Sequence, residues 1–552
     1  MQSSQSKSLN TEKECFGAHV LSLFYRTVIN SAHVTFVYLM TRVASRYLSE
    51  ERFQMKDETG DDLLETASTR IKLNADRATL IFLTCSIYYK IFNRHLRVAH
   101  SLGDGVYCMD TDGQEITEEM LSKIENGMKE LLSEYKKLEM IDVPRDDLLG
   151  HFASTKQDDK LGVVKAMGND PITCVRCGEF MDYVFEALQM DLTKLGVYGF
   201  RLYNKGFVIR MPTLLSPNCL QEWEDPHAQL EMFEEYTQWA SIIGVNNVAK
   251  VNECVYQKRI DEIKWAAEGL HAKKLAHIAK KLVEGFPEKR IVTIAGPSSS
   301  NKTTFAKRLA IALKVLGYDS LVIEMDDYFR NREDTPFGPD GLRDYEAITA
   351  LNVELLGERV HQFIAGKPVP RRRFDFKTGI GSDIETDMKV LEPNCFLVLE
   401  GIHGLNPALL SQLGRDEVVP IYVSPLTPLS IDNTHRFPTT DLRLIRRIIR
   451  DHKYRGYSAR NTIHRWTSVR IGEEKNIFPF QGNAEMFFNS SLVYELAVLA
   501  IQGKTLLAEA TIPDESEDPN SPLAQEITQE ALRLLKMVDL FYPIPMEEVP
   551  HI

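Results

Sequence analysis

Three things are scarce in this 552-residue chain. The first is cysteine: eight residues, scattered, too few for a disulfide framework. Only Cys174 and Cys177 form a Cys-x-x-Cys pair, and no second pair or His-x-x-x-His follows at a zinc-like distance. Reduced thiols in or near a core are therefore expected, with a structural metal or redox role as the alternative. The second is positive charge: 65 Lys and Arg stand against 78 Asp and Glu, a formal net charge of −13. That excludes a wholesale nucleic-acid coat or membrane-surface protein, so any anion site must be local. The third is a long apolar run. The longest stretch, residues 17–45, is broken by Arg26, Asn30, His33 and Arg42, so no membrane span is expected. The opening Met-Gln-Ser-Ser-Gln lacks the basic flank and apolar run of a secretory signal, and no internal repeat stands out. What is present, 43% apolar and 9% aromatic residues, suffices for real cores. The expectation is a soluble cytoplasmic protein of roughly three or four domains.

Residues 1–78 alternate short apolar runs with a polar stretch, Lys56-Asp57-Glu58-Thr59-Gly60-Asp61-Asp62, that reads as a loop. A second unit is expected over 79–255, with a helix over 118–137 opened by Thr117-Glu118-Glu119. Residues 256–288 carry an amphipathic pattern (Ile260, Ile263, Ala266, Leu270, Leu275, Ile278, Leu282) and predict a connecting helix. From 289 to 510 strands alternate with helices, the signature of an α/β fold with a parallel sheet flanked by crossover helices. The acidic, Pro- and Ser-containing stretch 512–522 predicts a linker before a last helix over 525–539, within a C-terminal segment 511–552.

The strongest signal is an apolar strand, Arg290-Ile291-Val292-Thr293-Ile294-Ala295, followed by Gly296-Pro297-Ser298-Ser299-Ser300-Asn301-Lys302-Thr303-Thr304 and a helical pattern from Phe305. Strand, small-residue loop, Lys-Thr and helix make the P-loop arrangement. Successive backbone N–H groups and the helix N-terminus form a nest for phosphate oxygens. Lys302 then reaches the β- and γ-phosphates, and the Thr303 hydroxyl ligates Mg²⁺. Asn301 stands where the pattern has its second glycine; asparagine is the side chain that best tolerates the left-handed backbone needed there. A Ser-rich turn without a ligand, or a phosphate loop without catalysis, are the competing readings.

Two further strands end in acids. Ser320-Leu321-Val322-Ile323-Glu324-Met325 runs into Asp326-Asp327-Tyr328-Phe329, and Cys395-Phe396-Leu397-Val398-Leu399 into Glu400-Gly401-Ile402-His403. Ligands of open α/β sheets sit beyond the strands' carboxyl ends, so these acids share the P-loop's rim. One can accept an alcohol's proton and the other can hold Mg²⁺ or its water; helix capping or a solvated turn is the alternative for Asp326 and Asp327. Arg443, Arg446, Arg447 and Arg450 then share one helix face, in a 40-residue region with nine arginines and two lysines against four acids. That face suits phosphates and predicts a closing lid; a solvated surface is the alternative.

Taken together, these motifs resemble the uridine kinase and phosphoribulokinase family of P-loop kinases, in the subgroup whose kinase follows a region similar to the front of threonyl-tRNA synthetase. Arg373-Phe374-Asp375-Phe376-Lys377-Thr378-Gly379, Thr440-Asp441-Leu442-Arg443 and Arg455-Gly456-Tyr457-Ser458 add to the match. The resemblance implies ATP and Mg²⁺ as cofactors, Asp326 as general base, and Gly296, Ser298–Thr304, Arg443, Arg446 and Arg447 around the nucleotide. It implies Thr303 and Glu400 at the metal, Asp344 on the acceptor's sugar hydroxyls and Phe374 beside its base. The acceptor it implies is a small molecule with a primary hydroxyl, a nucleoside first. The histidine that pyrimidine-nucleoside kinases carry shortly after that aromatic has no counterpart, since Gly379 lies near its place. A catalytically impaired nucleotide-sensing or RNA-associated protein is the alternative function.

Residues 79–255 resemble the synthetase's editing-type domain through Leu102-Gly103-Asp104-Gly105-Val106-Tyr107 and Cys177-Gly178-Glu179-Phe180-Met181-Asp182. The helix expected over 80–92 has no His-x-x-x-His, and His95 and His100, five apart, lie about 140° around a helix. Editing hydrolysis is not expected; RNA contact, regulator binding or support of the kinase is. Residues 1–78 resemble a worn ubiquitin-like module.

Overall fold

The structure, a computed structural model, describes residues 61–337, 343–427, 429–514 and 517–549. Most of the expected ubiquitin-like module lies outside the described residues. A helix, Asp61–Phe92 (α1), runs through the boundary expected at 78. It packs Leu83 and Tyr88 against Ile124 and Met128 of Glu118–Glu134 (α2). The Thr117 hydroxyl caps α2 by accepting the Met120 N–H at 3.3 Å, as its sequence predicts.

Around these helices stand two antiparallel sheets. Strands Leu96–Leu102 (β1), Gly105–Asp110 (β2), Gly199–Tyr203 (β6) and Gly206–Arg210 (β7) pair in the order β1-β2-β7-β6. Strands Glu139–Val143 (β3), Ile172–Cys177 (β4) and Phe180–Tyr183 (β5) pair in sequence order, with helices Arg145–Ser154 (α3) and Asp158–Ala166 (α4) between β3 and β4. Cys174 and Cys177 are free thiols at odd spacing on β4 and face different cores. Burial pushes their pKa values up to about 12 and about 11, so both are protonated. His95 and His100 are not helical, contrary to the geometry assumed for them: His95 immediately precedes β1, and His100 lies within it, stacked on Phe233.

Helices His227–Ile242 (α5) and Val248–Tyr256 (α6) lead to Ile260–Glu284 (α7). The helix expected as a connector is a layer of the second half: Leu275, Ile278 and Leu282 share a core with Val292, Ile294 and Leu309. Strand Ile291–Ala295 (β8), buried throughout, is the centre of a five-stranded parallel sheet, as a continuous apolar run requires. Helix Lys302–Val315 (α8) follows, then strand Asp319–Glu324 (β9), helix Val353–Ile364 (α9), a hairpin of Val369–Asp375 (β10) and Ile380–Lys389 (β11), and strand Cys395–Glu400 (β12). Helix Pro407–Leu413 (α10), strand Val418–Ser424 (β13), helices Thr439–Arg455 (α11) and Ala459–Asn476 (α12), and strand Met486–Asn489 (β14) complete the unit. The sheet order is β14-β13-β8-β12-β9, the flanked parallel sheet of a P-loop kinase fold.

The C-terminal helix belongs to the core. Ile527, Ala531, Leu534 and Val538 of Pro522–Asp539 (α14) pack with Ala497 and Leu507 of Glu495–Ala510 (α13) and with Leu444 and Ile445 of α11. Among the described residues no helix is long and apolar enough to cross a membrane.

Candidate functional site

Three parallel strands, β8, β12 and β9, deliver their carboxyl ends side by side, with Glu400 in register with Ile294 and Glu324. The loop leaving β8 begins at Gly296, where an added Cβ would run into the Val423 carbonyl oxygen. Only glycine lets the loop pass β13 that closely. Ser299 and Asn301 take φ 60° and 65°, and Asn301, with ψ 30°, opens α8 in the left-handed conformation. The glycine position is thus filled by the residue best suited to its backbone. The hydroxyls of Ser299 and Ser300 are buried with no hydrogen-bond partner among the described residues, orphaned polar atoms in a loop whose chemistry fits an oxyanion.

At the first turn of α8 the Thr303 hydroxyl donates to Glu400 Oε2 at 3.1 Å, so a hydroxyl and a carboxylate, both hard oxygen donors, adjoin at the tip of β12. No group of three or more His, Cys, Asp and Glu forms a metal cage among the described residues; Mg²⁺ commonly takes only one or two protein ligands, with phosphates and water completing its shell. Thr303 and Glu400 fit that donor set. The Lys302 ammonium donates to the Gly296 and Pro297 carbonyls at 3.0 and 3.4 Å. Its charge acts on Asp326, Glu346, Glu400 and His403 alike.

Asp326 follows β9 in a short 3-10 turn. Crowding by the protein raises its carboxyl pKa above the usual range, and Lys302 opposes the shift. Burial likewise raises Glu400, again against Lys302. Glu346, which the sequence motifs do not single out, is raised to about 7 by burial and then by Glu473; its only sequence signal is its place two residues after Asp344. Burial lowers His403 to about 4, so its ring is neutral. Asp327 turns the other way, accepting the Phe374 N–H at 3.2 Å. Asp344 Oδ1 accepts the N–H groups of Glu346 and Ala347 at 2.9 and 3.2 Å, a turn cap.

Phe374 is the floor of an aromatic group rather than an open wall: it is 5% exposed, with Phe329, Tyr345 and Phe376 around it. The ring open to solvent is Phe376, at 56%. At Gly379 (φ 75°) a Cβ would lie 2.6 Å from the Arg332 Cβ, so the hairpin turn leaves no room for a side chain where a histidine would be sought.

The arginine helix needs correction. α11 is no lid: Leu442, Leu444, Ile445 and Ile448 are buried on one side, and Arg443 and Arg446 on the other. Arg443, 1% exposed, pairs with Glu473 of α12 and donates to the Ser298 carbonyl at 2.9 Å. Arg446 pairs with Glu495 of α13 and donates to the Ser299 carbonyl at 3.2 Å. Arg447 donates to the Ser298 hydroxyl at 2.8 Å. Glu473 in turn accepts the Ser298 N–H at 3.2 Å and the Arg470 guanidinium at 2.9 Å. Helical spacing shows that the arginines share a face, but the carboxylates that bury that face come from later helices.

The profile of the family described as "Phosphoribulokinase / Uridine kinase family" matches residues 291–496. The uridine kinase of Staphylococcus aureus (strain JH9) is 30% identical over 180 residues, 32% of this chain and 76% of that protein. That of Bacillus pumilus (strain SAFR-032) is 29% identical over 179 residues, 32% of this chain and 75% of that protein. Among solved structures, "Structure of a Possible Uridine Kinase from Bacillus stearothermophilus" aligns over 39% of this chain and 98% of that one, at 17% identity and a TM-score of 0.26. The family match begins at residue 291 and does not reach residues 79–255, for which the synthetase likeness is not shown. Through residues 291–496, the chain belongs to the phosphoribulokinase and uridine kinase family.

Proposed function

We propose that the chain is an ATP- and Mg²⁺-dependent kinase that phosphorylates the primary hydroxyl of a small molecule, a uridine-type nucleoside first. The observation that carries the reading is the Thr303–Glu400 pair, 3.1 Å apart, on the same sheet rim as Asp326 and Lys302. In this reading Asp326 accepts the proton of the attacking hydroxyl, and Lys302 turns from its loop carbonyls to the β- and γ-phosphates. Thr303 and Glu400 would hold Mg²⁺, which when bound would neutralise charge on the moving phosphoryl group. Gly296 and Ser298–Thr304 wrap the phosphates. Asp344 and the aromatic group of Phe329, Tyr345, Phe374 and Phe376 lie on the acceptor side.

The similarity to uridine kinases supports the acceptor class, and the steric closure at Gly379 argues against a pyrimidine contact made by a histidine there. ATP turnover measured with a panel of nucleosides and Mg²⁺ tests the reading. A nucleoside 5′-phosphate product supports it; no product from any nucleoside overturns the acceptor, and none from any small alcohol overturns the enzyme. A second reading, a nucleotide-sensing protein with impaired transfer, is favoured by the Ser298 N–H being taken by Glu473. ATP binding without turnover is its expected result.

A further inference from the structure

Before α11 begins, residues 430–436 of the second half run through the front half, the two antiparallel sheets and their helices. Both backbone polar groups of Asn433 are taken there. The Asp159 carboxylate of α4 accepts its N–H at 2.7 Å, and its carbonyl accepts the Val98 N–H of β1, also at 2.7 Å. Ser430 is held in the same way: its N–H donates to the Asn246 carbonyl at 3.2 Å, and its carbonyl accepts the Val248 N–H of α6 at 3.0 Å. Asp432, 1% exposed, shapes the turn between them. One of its carboxylate oxygens accepts the N–H groups of Thr434 and His435 at 2.7 and 2.8 Å. The other accepts the Tyr183 hydroxyl of β5 and lies 2.8 Å from the His435 Nδ1. The Tyr183 and His435 rings stack with centroids 4.8 Å apart.

Directly downstream is the helix that braces the phosphate loop. Phe437 is buried, and α11 starts at Thr439. Arg443 is four residues further on, about 6 Å along the axis at a rise of 1.5 Å per residue. Arg443 and Arg446 donate to the Ser298 and Ser299 carbonyls at 2.9 and 3.2 Å, and Arg447 donates to the Ser298 hydroxyl at 2.8 Å. Bonds of this length fail when the partners separate by much more than half an ångström. Because a packed helix shifts as a unit, by about 1–2 Å where such shifts occur, its start and its three arginines move together. Among the described residues, no hydrogen bond joins Asp159, Tyr183 or Asp432 to the phosphate loop itself. Any effect they have on that loop passes through α11.

We propose that the front half sets the shape of the phosphate loop through this strap, with Asp159, Tyr183 and Asp432 as positioning residues for nucleotide binding. The inference rests on the kinase reading only for what the loop binds.

Hydrogen exchange of the full chain without ligand tests it, in the double variant Asp159→Ala, Tyr183→Phe, which removes one acceptor and one hydroxyl from the strap. Peptides covering residues 296–304 should exchange at least about threefold faster than in the unaltered chain, while peptides covering 275–282 of α7 keep their rate, because the opening is local. Asp159→Asn retains an oxygen for the Asn433 N–H and should keep most of the loop protection that Asp159→Ala loses. ATP should bind the double variant about fivefold more weakly, a typical size for coupling through intervening structure. Unchanged loop exchange in the double variant overturns the inference. So does an equal quickening of 275–282, the mark of general destabilisation, and so does a loss in Asp159→Asn as large as in Asp159→Ala. An unchanged ATP affinity overturns the positioning role. Should the double variant not fold, Asp159→Ala and Tyr183→Phe are read singly by the same criteria. If the unaltered chain binds no ATP, the kinase reading fails, whereas exchange of the empty loop still decides the strap.

Discussion

The backbone N–H of Ser298 donates to the Glu473 carboxylate at 3.2 Å, tying the phosphate loop to a residue of α12 that has no exposed surface. Glu473 also holds Arg443 and Arg470, so one carboxylate supports two guanidiniums and a loop amide. Glu473→Gln removes the charge and leaves Arg443 buried without its partner. The expected loss is about 3–5 kcal/mol of stability, read as a lower denaturation midpoint with the loop's ATP affinity falling alongside. An unchanged midpoint would show that the clamp is dispensable.

Asp326→Asn keeps the size of the side chain and removes its capacity to accept a proton. Turnover should drop by roughly 10²–10⁴-fold while ATP affinity stays within about twofold. Because the carboxyl is raised above its ordinary pKa, the active ionised form accumulates as pH rises. The rate should therefore climb through a value above the usual carboxylate range and then level. A flat acid limb in the unaltered enzyme would contradict the base assignment.

Thr303→Ala removes the hydroxyl that meets Glu400. The Mg²⁺ concentration for half-maximal turnover should rise about tenfold or more, with Glu400→Gln acting in the same direction. Metal titrations of the two single variants and the double variant measure it. An unshifted Mg²⁺ response in both single variants would remove these residues from the metal site.

Asn301→Gly is expected to do little. Asparagine already adopts φ 65° there, so relief of strain is small, and stability should move by less than about 1 kcal/mol. Turnover should change by less than about threefold, in line with so small a backbone effect. A gain of orders of magnitude in a turnover assay would mean that the natural residue impairs the loop.

His100 makes stability depend on acid. Burial holds its pKa at about 3, against an ordinary value of 6.5. Between those values the unfolded chain binds a proton that the folded chain refuses, so stability falls as pH drops from 6.5 towards 3. His271 and His403, each at about 4 from burial, act in the same direction. His100→Phe, stacked against Phe233 as the imidazole is, should make the slope of denaturation midpoint against pH shallower over that window.

Local chemistry is legible in the residues themselves. The apolar run 291–295, the Gly-to-Thr loop and the acids at 326 and 400 announce themselves because a strand, a tight turn and a helix start each depend on near neighbours. Asn301 could be assigned its left-handed backbone because it fills the pattern's glycine position and asparagine tolerates that conformation. The hairpin of β10 and β11 has no separate sequence signal, and α7 reads as a connector, since an amphipathic face does not say which partner will cover it. Arg443 and Arg446 looked like a lid for the same reason. Their spacing is a property of one helix, whereas their burial depends on Glu473 and Glu495, 30 and 49 residues further on. The sequence by itself therefore determined the phosphate loop and the strand-tip acids. Tertiary structure alone decided that the arginines brace that loop from behind and that Phe374 is floor rather than wall. Those outcomes depend on charges and surfaces brought together from distant parts of the chain, and pairing across such distances leaves no local pattern.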